Sequence, residues 1–337
     1  MIEGIILAIG AGLMLGLYAL PEKFTKDFKF ENTWGLFFIL TMFVVPIIAS
    51  MTLINDFQGV FSNVPTDILI KMAGASFLWG IGVMMWGKAI NHIGLSLGFS
   101  LFIGTVILVG SIIPFFIEGV PVKNVFMTII AGIAVVLLGV IFNARAGLQR
   151  EKDEHSEESD HQKGSMVTGI LIAIVGGLLA TGFSYANAVG RPLIHEACQA
   201  AGNPEWVTAV AVMFPIFISG GIAMTAYFLW QLTIKKAWTG FKTPHFGKNF
   251  ILILIMAVFH YAASALFAFA AFKLGEVGNT VGYAIFNTAC VATAIVSGIV
   301  TNEWVKASPK AKNYLYASLF FMILGIVIIS VGNGISG

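Results

Sequence analysis

RAGLQREKDEHSEESDHQK, residues 145–163, holds ten of the chain's 36 charged side chains and divides the rest into two apolar halves. On either side the hydrophobic residues come in long runs. A helix needs roughly 20 apolar residues to cross the hydrocarbon core of a bilayer. Five such runs precede the polar stretch, at 2–21, 33–54, 68–90, 94–117 and 123–143, and five follow it, at 165–186, 205–232, 249–272, 276–300 and 314–335. Backbone amides in lipid must be satisfied within their own segment, and the runs lack the short alternating pattern of a barrel. The sequence therefore predicts an all-α integral membrane protein with ten transmembrane helices. Composition agrees: 58% of the 337 residues are hydrophobic and 11% are charged, against about 25% charged in a typical soluble domain. This excludes a disordered chain, a collagen-like chain and an ordinary water-soluble enzyme.

The basic residues are unevenly shared between the two sets of connections. Fifteen fall on one side (Lys23, Lys26, Lys29, Lys88 and the linker among them), and four, Lys71, Lys123, Arg191 and Lys273, on the other. Positive charge stays cytoplasmic, so the linker is expected in the cytoplasm and both termini outside. The opening MIEGIILAIGAGLMLGLYALPEKF lacks the basic start and small-residue cleavage site of a signal peptide and reads as a retained first span. A net charge of +2 gives no reason to expect nucleic acid. Cys290 lies in an apolar run and Cys198 in a connection, which suggests neither a disulfide framework nor a thiolate metal site. His155 and His161 belong to the polar stretch, which reads as a solvated linker and not as a metal site.

The halves resemble each other. Gly4-Ile5-Ile6-Leu7-Ala8-Ile9 with Gly12-Leu13 matches Gly169-Ile170-Leu171-Ile172-Ala173-Ile174 with Gly177-Leu178 at an offset of 165. Ile93-Gly94, Gly98-Phe99 and Phe102 match Val277-Gly278, Gly282-Tyr283 and Phe286 at an offset of 184, and Glu118 and Glu303 end those two spans. Five is odd, so a five-span repeat runs antiparallel to its copy, giving a 5+5 inverted repeat: residues 1–143, a linker at 144–164, and residues 165–337. Inverted repeats are the signature of secondary transporters.

Three stretches carry a resemblance to a known family. They are Trp79-Gly80-Ile81-Gly82 to Gly87 with Gly94-Leu95-Ser96-Leu97-Gly98, the segment Asn187-Ala188-Val189-Gly190-Arg191-Pro192-Leu193-Ile194-His195-Glu196-Ala197, and Asn302-Glu303-Trp304. With Tyr18, Pro21, Lys23, Lys26, Glu31, Trp34 and Pro46 they resemble the L-rhamnose/proton symporters of the drug/metabolite transporter superfamily, over nearly the whole chain. The resemblance implies a bacterial inner-membrane carrier, monomeric or homodimeric, that moves a small neutral sugar such as L-rhamnose with a proton. The proton is the coupling ion, with no cofactor or metal. The family tends to place polar and tyrosine side chains where this chain has Val83, Met84, Met85 and Trp86. It tends to place a Trp-Tyr-x-Gln type cluster where this chain has Ala265-Leu266-Phe267-Ala268. These departures favour the alternative, a carrier of another organic solute, uncoupled or exporting.

Ionisable groups inside a bilayer are functional hypotheses by default. His260 lies twelve residues into the eighth span, about 18 Å along its axis, and an imidazole titrates near pH 6.5. It is expected either to carry the coupling proton or to stay neutral on a hydrogen bond to a neighbouring helix. Asn287, at similar depth, can donate to and accept from a sugar hydroxyl, or join helices. Tyr18, Trp79 and Tyr283 are candidate faces for a pyranose ring. Trp86 and Tyr185 fit interface anchors better. His195 and Glu196 are expected just outside the sixth span, on a short helix started by Pro192, as a second proton-coupling candidate or a surface cap. Pro46, Pro114 and Pro215 should bend their spans. No paired carboxylates or Ser/His/Asp set share a common depth, so an enzyme is not expected.

Overall fold

The computed structural model describes residues 2–154, 166–275 and 278–335; His155 and His161 lie outside them. Among the described residues ten helices are long and apolar enough to cross a membrane. We number them α1 (Ile2–Phe24), α2 (Phe30–Leu53), α3 (Thr66–Ile90), α4 (Leu97–Glu118), α5 (Lys123–Asp153), α6 (Met166–Ala200), α7 (Glu205–Ile234), α8 (Phe246–Lys273), α9 (Gly278–Val300) and α10 (Pro309–Gly332). All ten expected runs are helices.

Two expected boundaries move. Helix α5 continues well past 143 into the charged stretch. Residues 144–154 are mostly good helix formers, Ala146 is fully buried, and Asp153 accepts from Gln149 (2.9 Å) and from the Ser308 amide (2.9 Å) at the start of α10. Helix α6 runs to Ala200, so His195 and Glu196 stand on the spanning helix and not on a separate one. Pro192 sits inside that helix. The interruption comes earlier, at Thr181, where the hydroxyl donates to the Leu178 carbonyl (2.6 Å). There α3 comes so close that a Cβ on Gly182 would meet the Ala75 carbonyl. Cys198, expected in a connection, is buried on the same helix.

Pro46, Pro114 and Pro215 all lie inside spanning helices. Ahead of Pro46, α2 opens into a π-helical turn at Leu40–Val44, which accommodates the missing amide. The α-helix runs on through Pro114 and Pro215. Between α3 and α4 the backbone turns at Gly94, whose φ of 79° favours glycine and whose missing side chain leaves room for the Glu151 carboxylate.

The helices pack in recurring pairs. Helix α1 lies against α8 and α9, as α6 lies against α3 and α4, while α2 and α7, α4 and α9, and α5 and α10 face each other. Small residues set these contacts. A Cβ on Gly12 would stand 2.5 Å from that of Ala289, and one on Gly177 would stand 2.7 Å from that of Thr105. In lipid no hydrophobic force drives helices together, so close approach at small residues supplies the packing. Helices α7 and α9 are the most enclosed of the ten.

Candidate functional site

The π-turn at Leu40–Val44 re-aims Thr41 toward α8. Its hydroxyl lies 3.0 Å from His260 Nδ1 and 3.2 Å from the Ala257 carbonyl, which it can reach as donor. Around the imidazole stand three rings: Tyr18 of α1 at 5.0 Å between centroids, Phe37 of α2 at 5.5 Å and Phe217 of α7 at 5.5 Å. Four helices therefore meet at His260, near the middle of α8.

Phe217 extends this cluster into a continuous aromatic wall. Its ring is 5.7 Å from Trp79 of α3, which in turn is 5.1 Å from Phe183 of α6. Phe183 lies 6.4 Å from Tyr283 of α9 and 5.9 Å from Phe267 of α8. Phe267 also stacks on Phe286 at 4.9 Å. One turn along α9 from Tyr283, Asn287 donates its amide to the Tyr283 carbonyl at 2.9 Å, leaving its side-chain oxygen for another donor.

Tyr18, Trp79, Tyr283, Asn287 and His260 thus belong to one connected region drawn from α1, α3, α8 and α9. Trp79, Tyr283 and Asn287 are buried, whereas Tyr18 and His260 keep part of their surface accessible. The stretch Ala265–Ala268 presents Phe267 to this region, which replaces hydrogen-bonding capacity with a ring face. Tyr185 stands elsewhere. It lines a lateral groove of about 390 Å³ between α3, α4 and α6, with Lys71, Ala75, Ile113 and Thr181.

His195 and Glu196 are also elsewhere. Twelve residues separate His195 from Phe183 on α6, about 18 Å of helix. The His195 Nδ1 is 3.1 Å from the Thr208 hydroxyl and its ring packs on Phe272 at 4.6 Å; Glu196 is exposed.

The polar cluster beside them is one that reading the sequence missed. Arg191 of α6 donates to Glu118 Oε1 at the end of α4 (3.2 Å), Asn279 in the first turn of α9 donates to the same oxygen, and Asn187 of α6 donates to Asn279 Oδ1 at 2.7 Å. At the other end of α9, Lys23 bonds Glu303 and Thr301. The Lys23 hydrogen bond holds the Glu303 carboxyl below its ordinary range. The repeat signalled Glu118 and Glu303, but their partners lie far away in sequence.

Comparison with known proteins covers the whole chain. It is 24% identical to the L-rhamnose-proton symporter of Citrobacter koseri over 339 residues, 96% of this chain and 95% of that protein. It is 24% identical to an Escherichia coli protein of the same name over 338 residues, and 23% identical to one from Yersinia pestis over 336, each with the same coverage. Residues 1–336 match the family described as L-rhamnose-proton symport protein (RhaT). The chain belongs to that family of multi-pass bacterial inner-membrane proteins.

Proposed function

We propose that this protein is a proton-coupled symporter of a small neutral sugar, L-rhamnose or a related deoxy sugar, working by alternating access. The observation that carries the reading is the family match over residues 1–336, which takes in all ten membrane-spanning helices. The architecture proposed is a 5+5 inverted repeat of residues 1–143 and 165–337 joined by a linker at 144–164. The exchanged packing of α1 on α8 and α9 with α6 on α3 and α4 supports it. So does the like placement of Gly12 and Gly177 against α9 and α4. The 15-to-4 division of basic residues supports a cytoplasmic linker and extracytoplasmic termini. The working unit is proposed to be a monomer or a homodimer.

The substrate is proposed to lie between Tyr18, Trp79, Tyr283 and Asn287. Rings would cover the apolar faces of a pyranose while Asn287 takes a hydroxyl pair. His260 is the titratable side chain in this wall and the first candidate for proton coupling; His195 and Glu196, toward the Glu118 end of α6, are the second. Uptake of L-rhamnose into proteoliposomes, read with external pH, tests the reading. Saturable uptake with alkalinisation of the medium supports it.

A second reading rests on Phe183, Phe217, Phe267 and Phe286, which give the centre four phenyl faces and few hydrogen bonds. A less polar organic solute fits that wall. A thermal-shift screen separates the two, because a ligand that binds only the folded state raises its apparent stability.

A further inference from the structure

The two ionic contacts at the ends of α9 have matching parts. At one end a basic residue of α6, Arg191, meets the carboxylate that closes α4, Glu118. At the other a basic residue of α1, Lys23, meets the carboxylate that follows α9, Glu303. Helices α1 and α6 head the two halves, and α4 and α9 correspond through the offset of 184. Glu303 stands within one residue of that offset from Glu118, and Arg191 within one helical turn of the 165 offset from Lys23. The contacts sit at opposite ends of a helix of 23 residues, about 34 Å long.

We propose that these are the two latches of the transport cycle. Arg191–Glu118, with Asn279 and Asn187, holds shut the end where α4, α6 and α9 meet. Lys23–Glu303, with Thr301, holds the end where α1 meets the turn after α9. Both are formed in the described state, so each end opens from a common closed state and releasing one latch shifts the balance toward opening at that end; this inference rests on the alternating-access reading above. The Glu118 latch is not fully satisfied: Asn187 Oδ1 and Arg191 Nη1 are buried without a hydrogen-bond partner among the described residues. Unsatisfied buried groups disfavour the arrangement that holds them, which keeps a closed latch releasable. The same two atoms, an acceptor and a donor, are what a water or a substrate hydroxyl needs on passing. Among the described residues no other charged group is bonded to Glu118; the nearby His195 is engaged with Thr208, and Lys123 at the start of α5 is exposed.

Two positions report on the latches. The Ser184 hydroxyl donates to the Gly110 carbonyl between α6 and α4 (2.7 Å), seven residues before Arg191. Thr293 packs on Gly16 between α9 and α1, and Gly16 lies seven residues before Lys23. Ser184→Cys and Thr293→Cys, each in a protein with Cys198 and Cys290 replaced by alanine, are reacted with a maleimide in detergent without substrate. Glu118→Gln should speed labelling at 184 by about tenfold or more and slow it at 293. Lys23→Gln, at the exposed end, should do the reverse by a smaller factor. Exchanging the charges, Glu118→Arg with Arg191→Glu, should return both rates toward the parent. Both reporters speeding up together would mean general loosening and overturn the proposal, as would no change at either. If Glu118→Gln does not yield folded protein, Lys23→Gln alone decides by the same reciprocal criterion. The assay contains no sugar, so failure of L-rhamnose transport would leave its result standing and count only against the substrate reading.

Discussion

The Glu118 and Glu303 ends of α9 carry the same chemistry in different surroundings. Side chains in the Arg191–Glu118 pair are 14% and 18% exposed, those in Lys23–Glu303 44% and 42%. An exposed ion pair is worth roughly 0–1 kcal/mol. A shielded one adds little net stability, yet removing one partner strands a charge, at a cost of about 3–5 kcal/mol when fully buried. The difference teaches that the Glu118 end is the more sensitive to losing one partner and the Glu303 end the less.

The largest effect should come from breaking that asymmetry. Arg191→Gln or Glu118→Gln should cost roughly 2–3 kcal/mol, because the remaining member is left largely shielded. Lys23→Gln should cost less than about 1 kcal/mol. Thermal melts of the purified variants check this, and equal losses at both ends would remove the comparison.

Next is coupling. A His260→Gln variant should retain substrate counterflow but lose accumulation driven by a pH gradient, and the proton movement on substrate addition should vanish. Normal accumulation would make His260 a structural neighbour of Thr41 and move the test to Glu196→Gln. In the same region, Asn287→Ala should weaken substrate binding by on the order of 1 kcal/mol through loss of a buried hydroxyl partner. Unchanged affinity in a binding titration would take Asn287 out of the site.

The smallest effect concerns acid. Glu303 is held below its ordinary range by the Lys23 hydrogen bond. A carboxyl whose folded value is lowered contributes stability fully above its unfolded value, and that contribution fades as pH falls through the lowered one. Between pH 7 and 5 the contact should be intact. Its loss should appear only below about pH 4.3, as a melting difference between parent and Glu303→Gln that closes on acidification. A difference that already closes at pH 6 would contradict the assignment.

What could be read ahead of the structure follows from where the physics is local. The ten spans were legible because a bilayer demands length and apolarity of each segment by itself. Helix continuation past 143 was masked by charge, although residues 144–154 have helical propensity, because apolarity was the criterion and a helix leaving the membrane need not obey it. Pro192 signalled a helix start, yet α6 carries it in its interior and breaks instead at Thr181, where close packing by α3 decides. Tyr18, Trp79, Asn287, Tyr283 and His260 could be named by depth and residue type alone. Their connection through Phe183 and Phe217 could not, since those rings look like ordinary lipid-soluble residues. Least legible was the Glu118 cluster. Its partners are 73 and 161 residues distant, so only the tertiary fold brings Arg191 and Asn279 to the same oxygen.

The sidedness of the two ends is open to a direct check with cysteines introduced at Ser156 and Ser336 in a cysteine-free protein. An impermeant reagent on intact cells should label position 336 and spare position 156. With termini outside, Arg191 and its partner Glu118 lie at the outer face; the reverse pattern would put them in the cytoplasm.

The account stands or falls on sugar-driven proton movement. Purified protein is reconstituted into liposomes, L-rhamnose is added outside, and external pH and internal sugar are followed together over a range of concentrations. The account predicts saturable sugar entry accompanied by alkalinisation of the medium, with a protonophore collapsing the pH change while entry down the sugar gradient persists. Entry that rises linearly with concentration, or saturable entry with no proton movement, would contradict it.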